Sequence, residues 1–383
     1  MKPLVRHFGL SVDWTQVAVR YLPFADAAST GLPLARLLRL SLFQVSVGMV
    51  AVLTVGTLNR VMIVELGVQA WLVALMVALP ILVAPLRPLV GLRSDLHRSF
   101  LGWRRVPFLW GGTMLQFGGL AIMPFALILL AGATDVQVWT GRVAAALAFL
   151  LVGAGAQTVQ TAGLALATDL APEPLRPRVV ALMYVMLLVG MVGSGIAFSL
   201  LLAEYSHTRL AQVVQGAAVA TIVLNVLALW KQEPRTARRS AGAAPVVGQA
   251  FRQQFRRHWQ SLAAQAGTTR FLLAVGLGTL AFNLQDIILE PYGGEILGLP
   301  VGATTLLTGL MAIGALLACA AAARQLARGA DAHRVAAWGA VVGLFAFAAV
   351  LFAAPLQAPW LFRAGVALIG FGGGLFAVGT LTA

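Results

Sequence analysis

The stretch Asn283–Thr305 reads NLQDIILEPYGGEILGLPVGATT, and its polar residues carry helical spacing. Asn283, Asp286 and Glu290 fall at i, i+3 and i+7, so on a helix they share one face. Upstream, from Phe271, the chain is apolar for long enough to lie in lipid. Pro291 and Gly293-Gly294 are expected to stop this helix, with Tyr292 between them and Glu295 in the turn that follows. Asp286, Glu290 and Glu295 cluster at one membrane boundary and make the turn a candidate contact surface. An ordinary helix end with its acids in interfacial water accounts equally well for Glu290 and Glu295. Asp286 lies a turn deeper, where an ionisable group is expensive and usually has a role.

Working outward, the apolar half of that pattern recurs along the whole chain. Hydrophobic residues make up 60% and charged residues only 10%, the composition of an integral membrane protein. Ten apolar stretches stand out, at roughly 40–58, 68–86, 107–131, 143–166, 179–203, 210–230, 271–289, 302–323, 335–354 and 361–382. Most have the ~20 residues that carry a helix across about 30 Å of hydrocarbon. The fold class expected is an all-α membrane bundle.

With the N-terminus placed in the cytoplasm, 23 of the 27 Lys and Arg residues fall on the inner side. Arg60, Arg142, Arg209 and Arg363 are then left for the outer loops. This asymmetry is the positive-inside pattern of a multi-pass inner-membrane protein. The formal charge of +14 thus reports topology and attraction to anionic lipid headgroups. Nucleic acid is excluded as a partner, because the basic residues are divided among short loops. Cys319 is the only cysteine, which rules out an intrachain disulfide and a Cys-type metal site.

The longest polar interruption, 231–270, divides the chain into a six-span half (37–230) and a stretch with four spans (271–383). Within it Phe251, Phe255, Trp259 and Leu262 form a helical stripe beside Arg252, Arg256 and Arg257, expected to lie on the membrane surface. The segment 1–36 shows no secretory signal; Trp14, Val17, Val19 and Tyr21 suit an interfacial position.

Several polar groups inside the spans are candidate sites. Gln157 and Gln160 lie in the fourth span and need partners or a ligand there. Helix–helix hydrogen bonding is the simpler account of both. Gly190, Gly193, Ser194 and Gly195 make a small-residue face on the fifth. Of the 13 acidic residues only Asp286 is expected inside a span, a poor set for proton coupling. No phosphate loop, metal-ligand spacing or activated nucleophile is present, so an enzyme is not expected.

Four stretches together resemble the PucC/LhaA family, the bacteriochlorophyll-delivery branch of the major facilitator proteins. They are LQDIILEPYGGEILGLPVGATT from Leu284, RPLVGLRSDLHRSFLGWRRVPFLWGGTMLQFGGLAIMPF from Arg87, QTAGLALATDLAPE from Gln160 and RPRVVALMYVMLLVGMVGSG from Arg176. The similarity runs from about Leu37 to the end of the sequence. It implies two pseudo-symmetric six-helix halves, so twelve helices where ten are readable, and a truncated or shortened chain is expected. It also implies an assembly factor for light-harvesting antennae in the intracytoplasmic photosynthetic membrane. The partners implied are antenna polypeptides and the reaction-centre complex, with bacteriochlorophyll or carotenoid as candidate cofactors; the inner antenna ring is the favoured client. A secondary transporter of a tetrapyrrole or other amphipathic solute is the rival, and a ligand-free scaffold the third reading.

Within that resemblance, Gly91, Asp95, Arg98, Gly102, Arg104 and Arg105 match the major facilitator loop motif. Such a loop works as a charge clamp, an acid holding a basic cluster and a helix end. The interval from Asp95 to Gly102 is longer than in common sugar or drug transporters, and plain positive-inside charge would also explain the basic residues. A magnesium chlorin needs an axial ligand, and all five histidines lie in loops or termini. Gln44, Gln116, Gln157, Gln160, Asn283 and Gln285 are the amide candidates, and Asp286 is a further pigment contact.

Overall fold

The computed structural model describes residue 27 and residues 32–96, 103–132, 138–233 and 267–382. Among them ten helices are long and apolar enough to cross a membrane. They are α1 Leu34–Glu65, α2 Ala70–Gly91, α3 Val106–Leu130, α4 Trp139–Leu170, α5 Glu173–Leu201, α6 His207–Leu229, α7 Thr268–Glu295, α8 Val301–Ala327, α9 Ala332–Ala353 and α10 Pro359–Thr382. The amphipathic stripe at 251–262 and the segment at 14–21 lie outside the described residues. The end that holds the 97–105, 171–175 and 328–331 connections is called the basic end below, and the other the far end.

The largest departure from the sequence reading is α1. It runs seven residues beyond the expected boundary at 58 and winds through π-helical turns at Val52–Leu58 and Val61–Glu65. Arg60 and Glu65 therefore belong to the helix and not to an outer loop. They are tolerated because they pair with each other, Arg60 Nη1 reaching Glu65 Oε1 at 2.5 Å. Wide turns of this kind are often found at functional sites.

Helix ends follow local chemistry. The Ser206 side chain accepts the Arg209 N–H at 3.1 Å to start α6, and Asp331 accepts the His333 N–H at 2.9 Å to start α9. α3 has no cap in its own sequence, and a distant residue supplies it, as described below.

α1–α6 share a core that includes Leu53, Met62, Met76, Leu120 and Phe149. α8, α9 and α10 pack around Leu307, Ala346, Phe362 and Ile369. The two groups meet where Gly195 of α5 lies against Gly309 of α8; within the first group Gly190 of α5 lies against Val45 of α1. Gly193, placed on the same face from sequence, has open space around it. α7 is held to its neighbours by Phe282, whose ring lies 6.1 Å from Phe347 and 5.7 Å from Phe376. Leu273, Leu277, Leu284 and Ile288 of α7 are exposed, as are Trp71, Leu75, Leu82 and Leu89 of α2, whereas Leu289 of α7 is buried.

Candidate functional site

α7 does not stop at Pro291. It tightens into a 3-10 turn at Gln285–Ile287 and resumes as α-helix over Leu289–Glu295. Pro291 occupies the first turn of that resumed helix, where a missing N–H costs little. Because Pro291 cannot donate, the Ile287 carbonyl four residues back has no helical partner. Asn59 of α1 takes that place, its Nδ2 donating to Ile287 O at 2.7 Å. The true stop is Gly298, in the left-handed region at φ 63°, with Leu299 N donating to Gly293 O at 3.0 Å.

Around this break α1, α7 and α8 form a polar seam. Glu290 is only 2% exposed, and its Oε1 accepts from Thr308 Oγ1 at 2.5 Å. Thr57 and Thr305 share a hydrogen bond of 3.2 Å. Arg60, 4% exposed, also donates through Nη2 to Leu299 O at 3.2 Å. Gly56 admits the Glu290 carboxylate, since a Cβ there would overlap both Glu290 and the Thr308 hydroxyl. Just beyond the helices, burial, with Glu65 adding a smaller push and Arg60 opposing it, raises the Tyr205 phenol to about 12. Tyr205 therefore stays neutral beside His207 Nδ1 at 3.2 Å.

Below the seam lies a cavity of about 310 Å3 between α1, α2, α4 and α7. Gln157, Gln160, Asn283 and Asp286 all line it. The structure thus gathers four of the seven candidate pigment contacts in one place. Gln285 is buried outside that cavity, where its Nε2 donates to Asp286 Oδ1 at 2.6 Å and to Phe282 O at 2.7 Å. Gln160 Oε1 accepts from Arg87 Nη2 at 3.1 Å, whereas Gln157 Oε1 is buried without a hydrogen-bond partner. Gln116 and Gln44 are core residues; Gln116 belongs with Asn225, Thr113 and Ser46 to a network joining α1, α3 and α6.

An amide oxygen such as that of Gln157 suits a magnesium ion. The cavity's volume, however, is at the bottom of the ~300–1,000 Å3 range that drug-sized ligands fill. A bacteriochlorophyll, with its macrocycle and long isoprenoid tail, does not fit inside.

The signature residues divide between interior and surface. Glu290, Pro291 and Gly293 are buried and Gly294 lies against Arg60. Pro291, Tyr292 and Glu295 also line an open groove of about 750 Å3 at the far end, facing Trp71, Val68 and Ile63. At the basic end Arg104 and Arg105 of the expected clamp make contacts with described residues. Arg105 Nε pairs with Asp169 Oδ2 at 3.0 Å, and its Nη1 reaches Ser94 Oγ at 2.5 Å and Gly91 O at 3.4 Å. The Glu233 carboxylate accepts the backbone N–H groups of Arg104, Arg105 and Val106 at 2.6, 3.0 and 3.0 Å, so it caps α3. Arg98, Gly102 and the Asp95 side chain lie outside the described residues.

Sequence reading missed Gly56, Asn59, Arg60, Thr308 and Glu233. Asn59-Arg60 inside an apolar run was the available signal.

A family model described as "PUCC protein" matches residues 57–383. The chain is 55% identical to "Protein PucC" of Rhodovulum sulfidophilum, over 96% of this chain and 81% of that one. The chain belongs to the PUCC protein family. A second family relative, "Uncharacterized protein in puhA-bchM intergenic region" of Rhodobacter capsulatus, is 54% identical over 96% of this chain and 76% of its own. Among solved structures, nucleoside transporter NupG (D323A mutant) superposes with a TM-score of 0.63 at 14% identity, covering 90% of this chain and 81% of that one. At that identity the match shows the fold, which is of major facilitator type. The family region takes in the seam residues Asn59, Arg60, Glu290, Thr305 and Thr308 and leaves only Gly56, one residue upstream, outside.

Proposed function

We propose that this photosynthesis-related membrane protein is a non-enzymatic assembly factor for a light-harvesting antenna. It holds single-span antenna polypeptides against its outer flank while bacteriochlorophyll, and carotenoid where the antenna carries it, is loaded. The observation that carries this reading is the contrast between flank and interior. The faces of α2 and α7 beside the central cavity are lined with exposed apolar residues, and between their far ends runs the groove of about 750 Å3. The central cavity, at about 310 Å3, is too small for the pigment. Client and pigment are therefore handled at the lipid-facing surface, by burial of apolar area with the signature turn giving direction.

The core antenna around the reaction centre is the favoured client. The chain sits in the intracytoplasmic photosynthetic membrane with its basic end in the cytoplasm, so the signature groove faces the periplasm.

Affinity purification in mild detergent from a pigmented membrane tests this. Antenna polypeptides and bacteriochlorophyll absorbance are expected with the wild type, and both are expected to fall several-fold with Trp71→Ala plus Ile288→Ala at unchanged protein level. A colourless wild type free of antenna peptides refutes the assignment. The polar lining of the inner cavity favours one rival, a secondary transporter of a smaller amphipathic solute. Gradient-driven uptake into proteoliposomes is the result that would establish it.

A further inference from the structure

The proposed function uses the flank and leaves the buried carboxylates of α7 without a task. A second, smaller cavity of about 100 Å3 continues from the central one toward the seam, lined by Asp286, Glu290, Thr308 and Met311 together with Ala51 and Val55. Three carboxylates occur along this part of the spans, Glu65, Asp286 and Glu290. One guanidinium lies among them, and Arg60 gives its Nη1 to Glu65 and its Nη2 to a backbone carbonyl. Among the described residues neither Asp286 nor Glu290 forms an ion pair.

Their uncharged partners do not complete them. Glu290 is 2% exposed; Thr308 satisfies Oε1, and Oε2 is buried with no hydrogen-bond donor. Two neighbouring buried acceptors are in the same condition, Gln285 Oε1 and Asn59 Oδ1, each of whose amide nitrogens is already donating. Orphaned acceptors in apolar surroundings cost about 1–3 kcal/mol each, more when charged. A positive charge in the small cavity, which Glu290 lines, would supply what its free oxygen lacks.

We propose that the small cavity is a binding site for a hard metal cation of group 1 or 2. Asp286, Glu290 and Thr308 line it, and every polar atom they offer is an oxygen, the donor type such ions take. Among the described residues no group of three or more His, Cys, Asp and Glu side chains converges, so the site rests on two carboxylates and one hydroxyl. A volume of about 100 Å3 holds one ion with one or two waters, given the ~30 Å3 share of each water. Bound there, a divalent ion neutralises both Asp286 and Glu290 and a monovalent ion one charge of the pair, and either ties α7 to α8.

The test is thermal unfolding of the purified full chain in mild detergent, in choline chloride at fixed ionic strength, titrated separately with Na+, K+, Mg2+ and Ca2+. A saturable rise of several degrees with at least one ion, and none with added choline, is expected. The arms identify which ion the site takes. Glu290→Gln and Asp286→Asn are each expected to abolish the rise, whereas Glu295→Gln, an exposed acid at the same end, keeps it. Thr308→Val retains both charges and should raise the half-saturating concentration about tenfold, for one lost ligand. A wild type indifferent to all four ions overturns the proposal and leaves protons as the counter-charges. So does a response that survives in both carboxamide variants, since the ion then binds elsewhere.

Discussion

The two ends of the bundle are held by polar groups in different ways. At the far end the contacts cross between the halves: Asn59 to the Ile287 carbonyl, Thr57 to Thr305, Arg60 to the Leu299 carbonyl. At the basic end they stay within the first half: Arg105 to Asp169, Glu233 to the start of α3, Arg36 to Gln232 at 3.0 Å. The far-end groups are largely buried, whereas Asp169 is 46% exposed. Buried polar contacts are costly to break because a lone partner stays desolvated, and exposed ones are screened and weak. Among the described residues, hydrogen bonds latch the halves together at the far end alone.

That contrast can be broken at its strongest point with Gly56→Val. The added side chain overlaps the Glu290 carboxylate and Thr308, and overpacking of this kind costs about 3 kcal/mol. The apparent melting temperature in detergent should fall furthest for this variant. Disulfide formation between Thr57→Cys and Thr305→Cys, in a Cys319→Ser background, should slow alongside it. Asn59→Ala comes next, at about 2 kcal/mol, because it strands the carbonyl that Pro291 cannot serve; the same cross-link reports it. At the basic end Glu233→Gln should cost about 1 kcal/mol through the α3 cap and leave the cross-linking rate unchanged. The smallest effect is expected for Asp169→Asn, about 0.5 kcal/mol or less, vanishing at high salt. A basic-end variant that slowed the cross-link as much as Asn59→Ala would erase the distinction between the ends.

Much of the site could be read in the sequence and its wiring could not. The helical spacing of Asp286 and Glu290 put both on α7, and Gln157, Gln160, Asn283 and Asp286 do line one cavity. The burial of Glu290 was not readable, because it depends on Gly56, some 230 residues away, having no side chain. Pro291 and the two glycines looked like a stop, yet an N–H that the first turn does not need is no loss, and glycine tolerates the close approach of Arg60 and Thr304. Asp169 and Glu233, each from another helix end, also hold Arg105 and the start of α3, and neither was legible as a partner because both lie far from the loop in the chain.

The sequence by itself determined what lipid and chain-local chemistry determine: ten spans, the sign asymmetry of their connections, the signature turn and the family. Hydropathy and periodicity are sums over neighbours in the chain, and a 30 Å hydrocarbon layer reads those sums directly. Only the tertiary structure decided which carboxylates are buried, which carbonyl lacks its helical donor, and that the cavity is smaller than a tetrapyrrole pigment. Those follow from close packing between residues far apart in the chain, where one absent methyl group admits a carboxylate.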